Sequence, residues 1–260
     1  MRWFHILTPP ADGATNMALD EALMRRAART KDAVVRIYGW STATLSLGRN
    51  QRARGCYDER AARDAGVAFV RRPTGGRALL HDHEVTYSAT LPVADAAAAG
   101  GVYDFINSRL LDALGCLGVR AVRAVRAAGG VSMPPGLRPC FDVPSEREIT
   151  FEGRKLVGSA QWRHDGAVLQ HGSILIRDDQ PLIGRLLKEP PATMETPRAA
   201  SLRDALGTEP SLEQVAATVV QALRATTGQR VERLDVEEAV LDDVARLRVT
   251  YAADAWTWRR

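Results

Sequence analysis

The spacing of apolar positions predicts an early helix followed by strands. Over residues 14–30, Met17, Ala18, Ala22 and Met24 supply an apolar side, and Thr15 or Asn16 can cap the start. Asp20 and Glu21 come early and Arg25, Arg26 and Arg29 late, the order a helix dipole favours. VVRIYGW (34–40) is β-branched and aromatic, so it predicts a strand. TLSLG (44–48) alternates polar with apolar and predicts a half-buried strand. A short helix over 57–66 ends at Gly66.

Strands dominate the next stretch. VAFVRR (67–72) runs into PTGG (73–76), and RALLH (77–81) and EVTYSATLP (84–92) follow. Phe105, Ile106, Leu110, Leu114 and Leu117 recur at helical spacing, predicting a helix over 102–117, with the alanine run at 96–99 left outside it. After a proline-rich loop at 131–144, EITF (148–151), a tight turn at EGR, KLVGSAQW (155–162) and AVLQHGSILI (167–176) read as consecutive antiparallel strands. A loop at 188–198 carries three prolines. Ser211 with Gln214 forms a capping box for a helix over 212–227 that Gly228 ends, and Asp235 with Glu238 can start another.

This order predicts an α+β fold: a mixed, largely antiparallel sheet flanked by helices, with a helical C-terminal segment. Residues 1–260 are expected to form a single catalytic domain, with 200–260 packed on it as that helical segment.

Composition narrows the classes. The chain has 260 residues, 45% of them hydrophobic and 25% charged, as in an ordinary globular protein. It has no apolar run of about 18 residues and no signal-peptide pattern, so a cytoplasmic protein without membrane contact is expected. The net charge of +4 comes almost wholly from arginine and is too small to argue for nucleic acid. Three scattered cysteines make neither a disulfide framework nor a zinc site.

Three stations carry candidate chemistry. Arg71-Arg72-Pro73-Thr74-Gly75-Gly76-Arg77 lies between two strands, where paired glycines let a ligand approach the backbone, although Gly-Gly between strands is more often only a turn. Cys140 sits between prolines in Pro139-Cys140-Phe141-Asp142-Val143-Pro144. Cys116, in a leucine-rich helix, reads as a packing residue, and Cys56 reads as the start of a helix, where a thiol is activated. In Gly153-Arg154-Lys155-Leu156-Val157-Gly158-Ser159-Ala160-Gln161, the small residues leave space beside the strand, and lysine is otherwise rare. A lysine directed at a cysteine favours the thiolate that acyl transfer requires. His81 and His83, two apart, would share a strand face and could join His171 around a metal, but Asp82 and Glu84 would face the other way, so no metal site is expected.

Together, RRPTGGRALLHDHEVTYS, CFDVPS, EGRKLVGSAQ, LQHGSILI and the ending YAADAW resemble the lipoate/biotin protein ligase superfamily, most closely its LipM-type octanoyltransferases. The resemblance implies a mechanism that needs no ATP or other cofactor. Octanoate would come from an acyl carrier protein, rest as a thioester on Cys140, and pass to the lipoyl-lysine of an acceptor such as the glycine cleavage H protein. Lys155 would lower the Cys140 pKa and polarise the acyl carbonyl. Arg72, Thr74, Gly75, Gly76, Arg77 and His81 would shape the substrate entrance, and Gly158, Ser159, Ala160 and His171 the acyl tunnel.

The sequence departs from the resemblance at Glu146-Arg147, where these relatives carry an aromatic pair. Its rivals are an ATP-dependent lipoate ligase, an octanoyl amidotransferase between lipoyl domains, and a non-catalytic lipoyl-domain binder. The ligases usually have a third glycine at the place of Arg77.

Overall fold

A computed structural model describes residues 1–124, 148–189, 198–228 and 230–260. The chain runs β1 (Trp3–Leu7), α1 (Gly13–Thr30), β2 (Ala33–Tyr38), β3 (Thr44–Leu47), α2 (Glu59–Asp64), β4 (Ala68–Arg71), β5 (Leu79–His81), β6 (Glu84–Pro92) and α3 (Ala96–Cys116). It continues through β7 (Val122–Arg123), β8 (Ile149–Phe151), β9 (Arg154–His164), β10 (Ala167–Leu175), α4 (Leu182–Arg185) and α5 (Leu202–Leu206). The tail holds α6 (Leu212–Thr227), β11 (Val231–Arg233), α7 (Glu238–Tyr251) and α8 (Asp254–Thr257).

Eight strands form one sheet in the order β11-β1-β2-β6-β10-β9-β8-β7. The β1 pairings with β11 and β2 are parallel, and every other pairing in that sheet is antiparallel. A second sheet, β4-β3-β5, carries the glycine-rich segment. The fold is therefore α+β with a mixed, largely antiparallel sheet.

Strand alternation gives the large sheet two distinct faces. Val35 and Ile37 of β2, Val85, Tyr87, Ala89 and Leu91 of β6, and Val168 and Ile174 of β10 pack with α3 and α6 in one core. The intervening residues Arg36, Ser88 and His171 point to the other face, where α1 lies. There Leu169 packs with Met24 and Ala27 of α1, while Phe4, Met17 and Leu23 pack with Val240, Leu247 and Tyr251 of the tail.

Local signals placed most elements. The capping box of Ser211 and Gln214 is formed in both directions, and Gly228 ends α6 in the left-handed conformation. Glu152 and Gly153, both at positive φ (50° and 73°), make the tight β8–β9 turn.

Four expectations are corrected. Asp12, rather than Thr15 or Asn16, caps α1, its carboxylate accepting from the Thr15 amide at 2.8 Å. The strand at 44–47 is buried on both faces, because Leu45 and Leu47 enter an apolar cluster while Ser46 meets Arg72 and His81. α3 begins at Ala96, capped by Asp95, so the alanine run forms its first turn. α7 starts at Glu238 after Glu237 with no side-chain cap, leaving Asp235 outside it. The tail also adds a strand, β11, to the sheet edge. Much of the 188–198 loop (190–197) lies outside the described residues.

Candidate active site

A buried carboxylate organises the α1 face. Asp20, fully enclosed, accepts hydrogen bonds from Arg36 Nη1 (2.8 Å), Tyr38 Oη (2.8 Å), Ser88 Oγ (2.8 Å) and His171 Nδ1 (3.0 Å). Burial opposes its charge, but the hydrogen bond from His171, the Arg36 guanidinium and Ser88 outweigh it and hold the carboxyl below its usual range. Burial pushes the His171 pKa down, so the imidazole is neutral at pH 7. With Nδ1–H donated to Asp20, Nε2 accepts the Thr74 hydroxyl at 2.7 Å. A helix, three neighbouring strands and the glycine-rich segment thus meet at one chain of hydrogen bonds.

A second imidazole–carboxylate pair stands beside it. His81 Nδ1 is 2.8 Å from Glu84 Oε1, and its Nε2 is 2.8 Å from Ser46 Oγ. Trp40 stacks on the ring at 4.0 Å and donates to Glu84 and Thr86. Arg72 reaches Ser46 O (2.9 Å) and Ser46 Oγ (3.0 Å), and clamps its own loop through Gly75 O (2.9 Å) and Arg77 O (2.7 Å). Gly76, at φ 100°, passes so close to Gly48 that a Cβ on Gly48 would collide with the Gly76 carbonyl. Gly76 is exposed and Gly75 and Arg77 are half-buried, so the loop presents its glycine backbone outward while Thr74 and Arg72 anchor it from within.

Arg71 adds to this anchoring. Fully buried, it donates to the carbonyls of Gly48 (2.6 Å), Gln51 (2.8 Å) and Thr257 (2.8 Å). Burial, with the like charges of Arg259, Arg260 and Arg72, pushes its pKa down to about 10. Trp256 of the tail donates to the Arg71 carbonyl at 2.8 Å, so the YAADAW ending is fastened to the glycine-rich strand.

Lys155 lies on the opposite face of the large sheet. It is buried, and its Nζ is 2.6 Å from Glu148 Oε1, also buried. Thr150 of β8 is registered against Lys155 of β9, which places Glu148, just ahead of β8, within reach. Ser159 shares this face, its Oγ 2.7 Å from Tyr87 Oη. Gln170 donates to Tyr87 Oη (3.1 Å) and Asn107 Oδ1 (3.0 Å), and Gln161 ties the network to Ala99 O of α3 at 3.0 Å. Burial raises the phenol pKa of Tyr87 and of Tyr103.

The residues expected at the site therefore divide. Thr74, His171, Arg72 and His81 form two adjoining clusters. Gly158 and Ala160 lie on the His171 face, since Ala160 is registered with His171 and Gly158 with Ser173. Lys155 and Ser159 lie on the α3 face, because successive residues of β9 alternate sides. Cys140 lies outside the described residues. Cys116 is exposed on α3, not packed, and Cys56 lies ahead of α2, whose N-terminus is capped by Asp58.

The histidines do not converge. His81 is turned inward to Glu84, whereas His83 is half-exposed beside Asp82 and Asp179. Glu84 therefore faces His81, against the expected alternation, because β5 ends at His81 and a turn intervenes before β6. Asp82, His83 and Asp179 place ligand-type atoms within 4.8 Å of one another, but nothing further in their surroundings points to an ion.

Sequence reasoning missed Asp20, Arg36, Tyr38, Glu148, Tyr87 and Tyr103 as parts of these networks. An aspartate one turn after Asn16, on the side of α1 that also carries Met17, Leu23 and Met24, was the available signal.

His171 of β10 and Asp20 of α1 thus hold the glycine-rich loop from within, and the buried Lys155 lies on the neighbouring small-residue strand. Residues 12–224 match the lipoyl protein ligase A/B catalytic domain, and the chain belongs to that family. Octanoyltransferase LipM of Kyrpidia tusciae is 37% identical over 272 residues, covering 99% of both chains. Octanoyltransferase LipM of Staphylococcus aureus is 34% identical with 99% of each chain covered, and that of Bacillus subtilis 32% identical with 99% and 98% covered. Among solved structures, lipoate-protein ligase A bound with ATP superposes with a TM-score of 0.83 at 21% identity, covering 99% of each chain. A bipartite lipoate protein ligase of Thermoplasma acidophilum gives 0.80 at 20% identity, covering 99% and 96%. These structural likenesses show the shared fold.

Proposed function

We propose that the chain is an octanoyltransferase of lipoate biosynthesis that forms a thioester on Cys140 and transfers its acyl group to a protein lysine. The observation that carries this reading is end-to-end identity of 32–37% with octanoyltransferases LipM. Three features of the sequence and structure support it: the clamped glycine-rich loop, the buried Lys155 and the small-residue strand.

The chemistry balances in two steps. The Cys140 thiolate attacks the thioester carbonyl of an octanoyl carrier protein. The bond to the carrier sulfur breaks, and that sulfur leaves as a thiolate that takes up the proton Cys140 had given up. An uncharged lysine amine of a lipoyl domain then attacks the Cys140 thioester, losing a proton as the amide forms and the cysteine thiol returns. Thioester exchange is nearly isoenergetic and amide formation is downhill, so neither step requires ATP. Burial of an octanoyl chain supplies binding of roughly 0.8 kcal/mol per methylene.

Lys155 would favour the thiolate and polarise the carbonyl. Arg72, Thr74, Gly75, Gly76, Arg77 and His81 would shape the donor entrance, Gly158, Ala160 and His171 the acyl site on one face of the sheet, and Ser159 the Lys155 side of the same strand. The chain would act as one catalytic unit over residues 1–260, in the cytoplasm. Among the described residues no helix is long and apolar enough to cross a membrane. The lipoyl domain named with the Thermoplasma ligase makes such a domain the natural acceptor class, with the glycine cleavage H protein as its first candidate.

The test is intact mass spectrometry with octanoyl carrier protein and no ATP. An octanoyl adduct on the wild type that is absent from Cys140→Ser carries the reading. Acylation that occurs only with ATP and free octanoate would assign the chain to the ligases instead.

A further inference from the structure

Lys155 is one of the largest fully enclosed side chains in the protein, and the carboxylate beside it is just as enclosed, with side-chain exposures of 1% for Lys155 and 5% for Glu148. An ammonium taken out of water without a counter-charge loses its proton readily, its pKa falling by up to several units. A carboxylate oxygen at 2.6 Å opposes that loss and fixes the direction of Nζ. Backbone pairing holds Glu148 beside Lys155, across a register shift between Ile149 and Thr150. Glu148 enters β8 with its carbonyl accepting from the Ala124 amide at 2.7 Å, and β8 is registered against β9 through Ile149, Thr150 and Phe151.

Among the described residues, the titratable groups facing the pair from neighbouring elements include the phenols of Tyr103 on α3, which senses both Glu148 and Lys155, and Tyr87 on β6, which senses Glu148. Burial raises both phenols, so they stay neutral beside the pair.

We propose that Glu148 is a positioning residue that keeps Lys155 protonated and aimed, and so sets the pH range over which Lys155 can act on a thiolate or an acyl carbonyl. The proposal rests on the reading of Lys155 as the group that serves Cys140. It goes beyond that reading by making the charge of Lys155 depend on a second residue, one that does not touch substrate.

The experiment uses the full chain with 13C-labelled lysine, the Lys155 resonance being assigned by its absence in Lys155→Arg. Lys155 is titrated in the wild type, Glu148→Gln and Glu148→Asp. Octanoyl transfer to Cys140 is followed over the same pH range. In Glu148→Gln the Lys155 midpoint moves acidward by about one pH unit or more. The alkaline limb of the transfer rate moves with it, so that the rate on that limb falls about tenfold. Glu148→Asp, which retains the charge, lies between the two. Should Glu148→Gln not fold, the Asp variant carries the test through its smaller acidward shift.

An unchanged Lys155 midpoint in the folded variant overturns the proposal, as does a moved midpoint with an unchanged alkaline limb. Absence of octanoyl transfer in the wild type refutes the functional reading instead. In that case the lysine titration still decides whether Glu148 governs the charge of Lys155.

Discussion

The hydroxyl of Thr74 donates to Nε2 of His171 across 2.7 Å, joining the glycine-rich loop to the central strand of the large sheet. This bond requires a neutral imidazole with its proton on Nδ1, and Asp20 enforces that tautomer from α1. Loop conformation is thereby set by residues distant in sequence and hidden from solvent. Removing the donor should loosen the loop without disturbing the core. Thr74→Val is expected to lower octanoyl transfer about tenfold, near 1.4 kcal/mol, in keeping with one buried acceptor left unpaired. Thr74→Ser should stay close to wild type. Steady-state rates at pH 7.5 check this, and equal rates for Val and Ser would deny the bond a role.

Asp20 is the counter-charge of Arg36, which is itself buried and lies 3.7 Å over the Tyr38 ring. Asp20→Ala leaves that guanidinium enclosed without its carboxylate. A loss of about 3–5 kcal/mol is expected on urea unfolding, the range for breaking one half of a buried ion pair. A loss below about 1 kcal/mol would mean that the remaining contacts of Arg36 with Thr8 and Asn16 suffice.

Gly172 has no room for a side chain. A Cβ there would strike the Gly158 carbonyl and come within 2.8 Å of the Tyr87 ring. Gly172→Ala should therefore destabilise the protein by about 1–3 kcal/mol through overpacking between β9 and β10. Differential scanning calorimetry would show a lowered midpoint, whereas an unchanged midpoint would mean that the strands can part at no cost.

Stability should fall as pH drops from neutrality, in two stages. His171 has a folded pKa below its unfolded value, so the unfolded chain takes up its proton first, and stability declines once pH passes below about 6.5. Asp20 and Glu84 have folded pKa values below the usual carboxylate range, so their contribution is present above that range and lost as pH falls through the folded values. His5 shares the direction of His171, from burial beside Arg224 and Arg233. Comparison of His171→Gln with wild type therefore isolates one proton, or at most about 1.4 kcal/mol per pH unit. Urea midpoints between pH 7 and 5 should slope less steeply in the variant, and parallel slopes would sink the assignment.

Much of this protein could be read from its sequence because the deciding physics is local. The Ser211–Gln214 capping box, the Glu152–Gly153 turn and the strand 84–92 each depend on a few adjacent residues, and all three stand where the pattern placed them. The motifs around Gly75, Gly76, Lys155 and His171 also marked the family. Local reasoning failed where a neighbour in space decides. It could not give Lys155 its partner, because nothing in EGRKLVG shows that Glu148 reaches it across the β8–β9 hairpin. It placed Gly158, Ser159 and Ala160 together, although the pleat sends Ser159 to one face and its neighbours to the other.

The sequence by itself determined most of the longer helices and strands, the family, and the residue types available for acyl chemistry, since periodicity, caps and turns act over a few residues. Only the tertiary structure decided which charges are buried and paired. A carboxylate on α1 meets arginine, tyrosine, serine and histidine from three strands only once those strands are side by side, and the desolvation that makes each pairing obligatory does not exist in the extended chain.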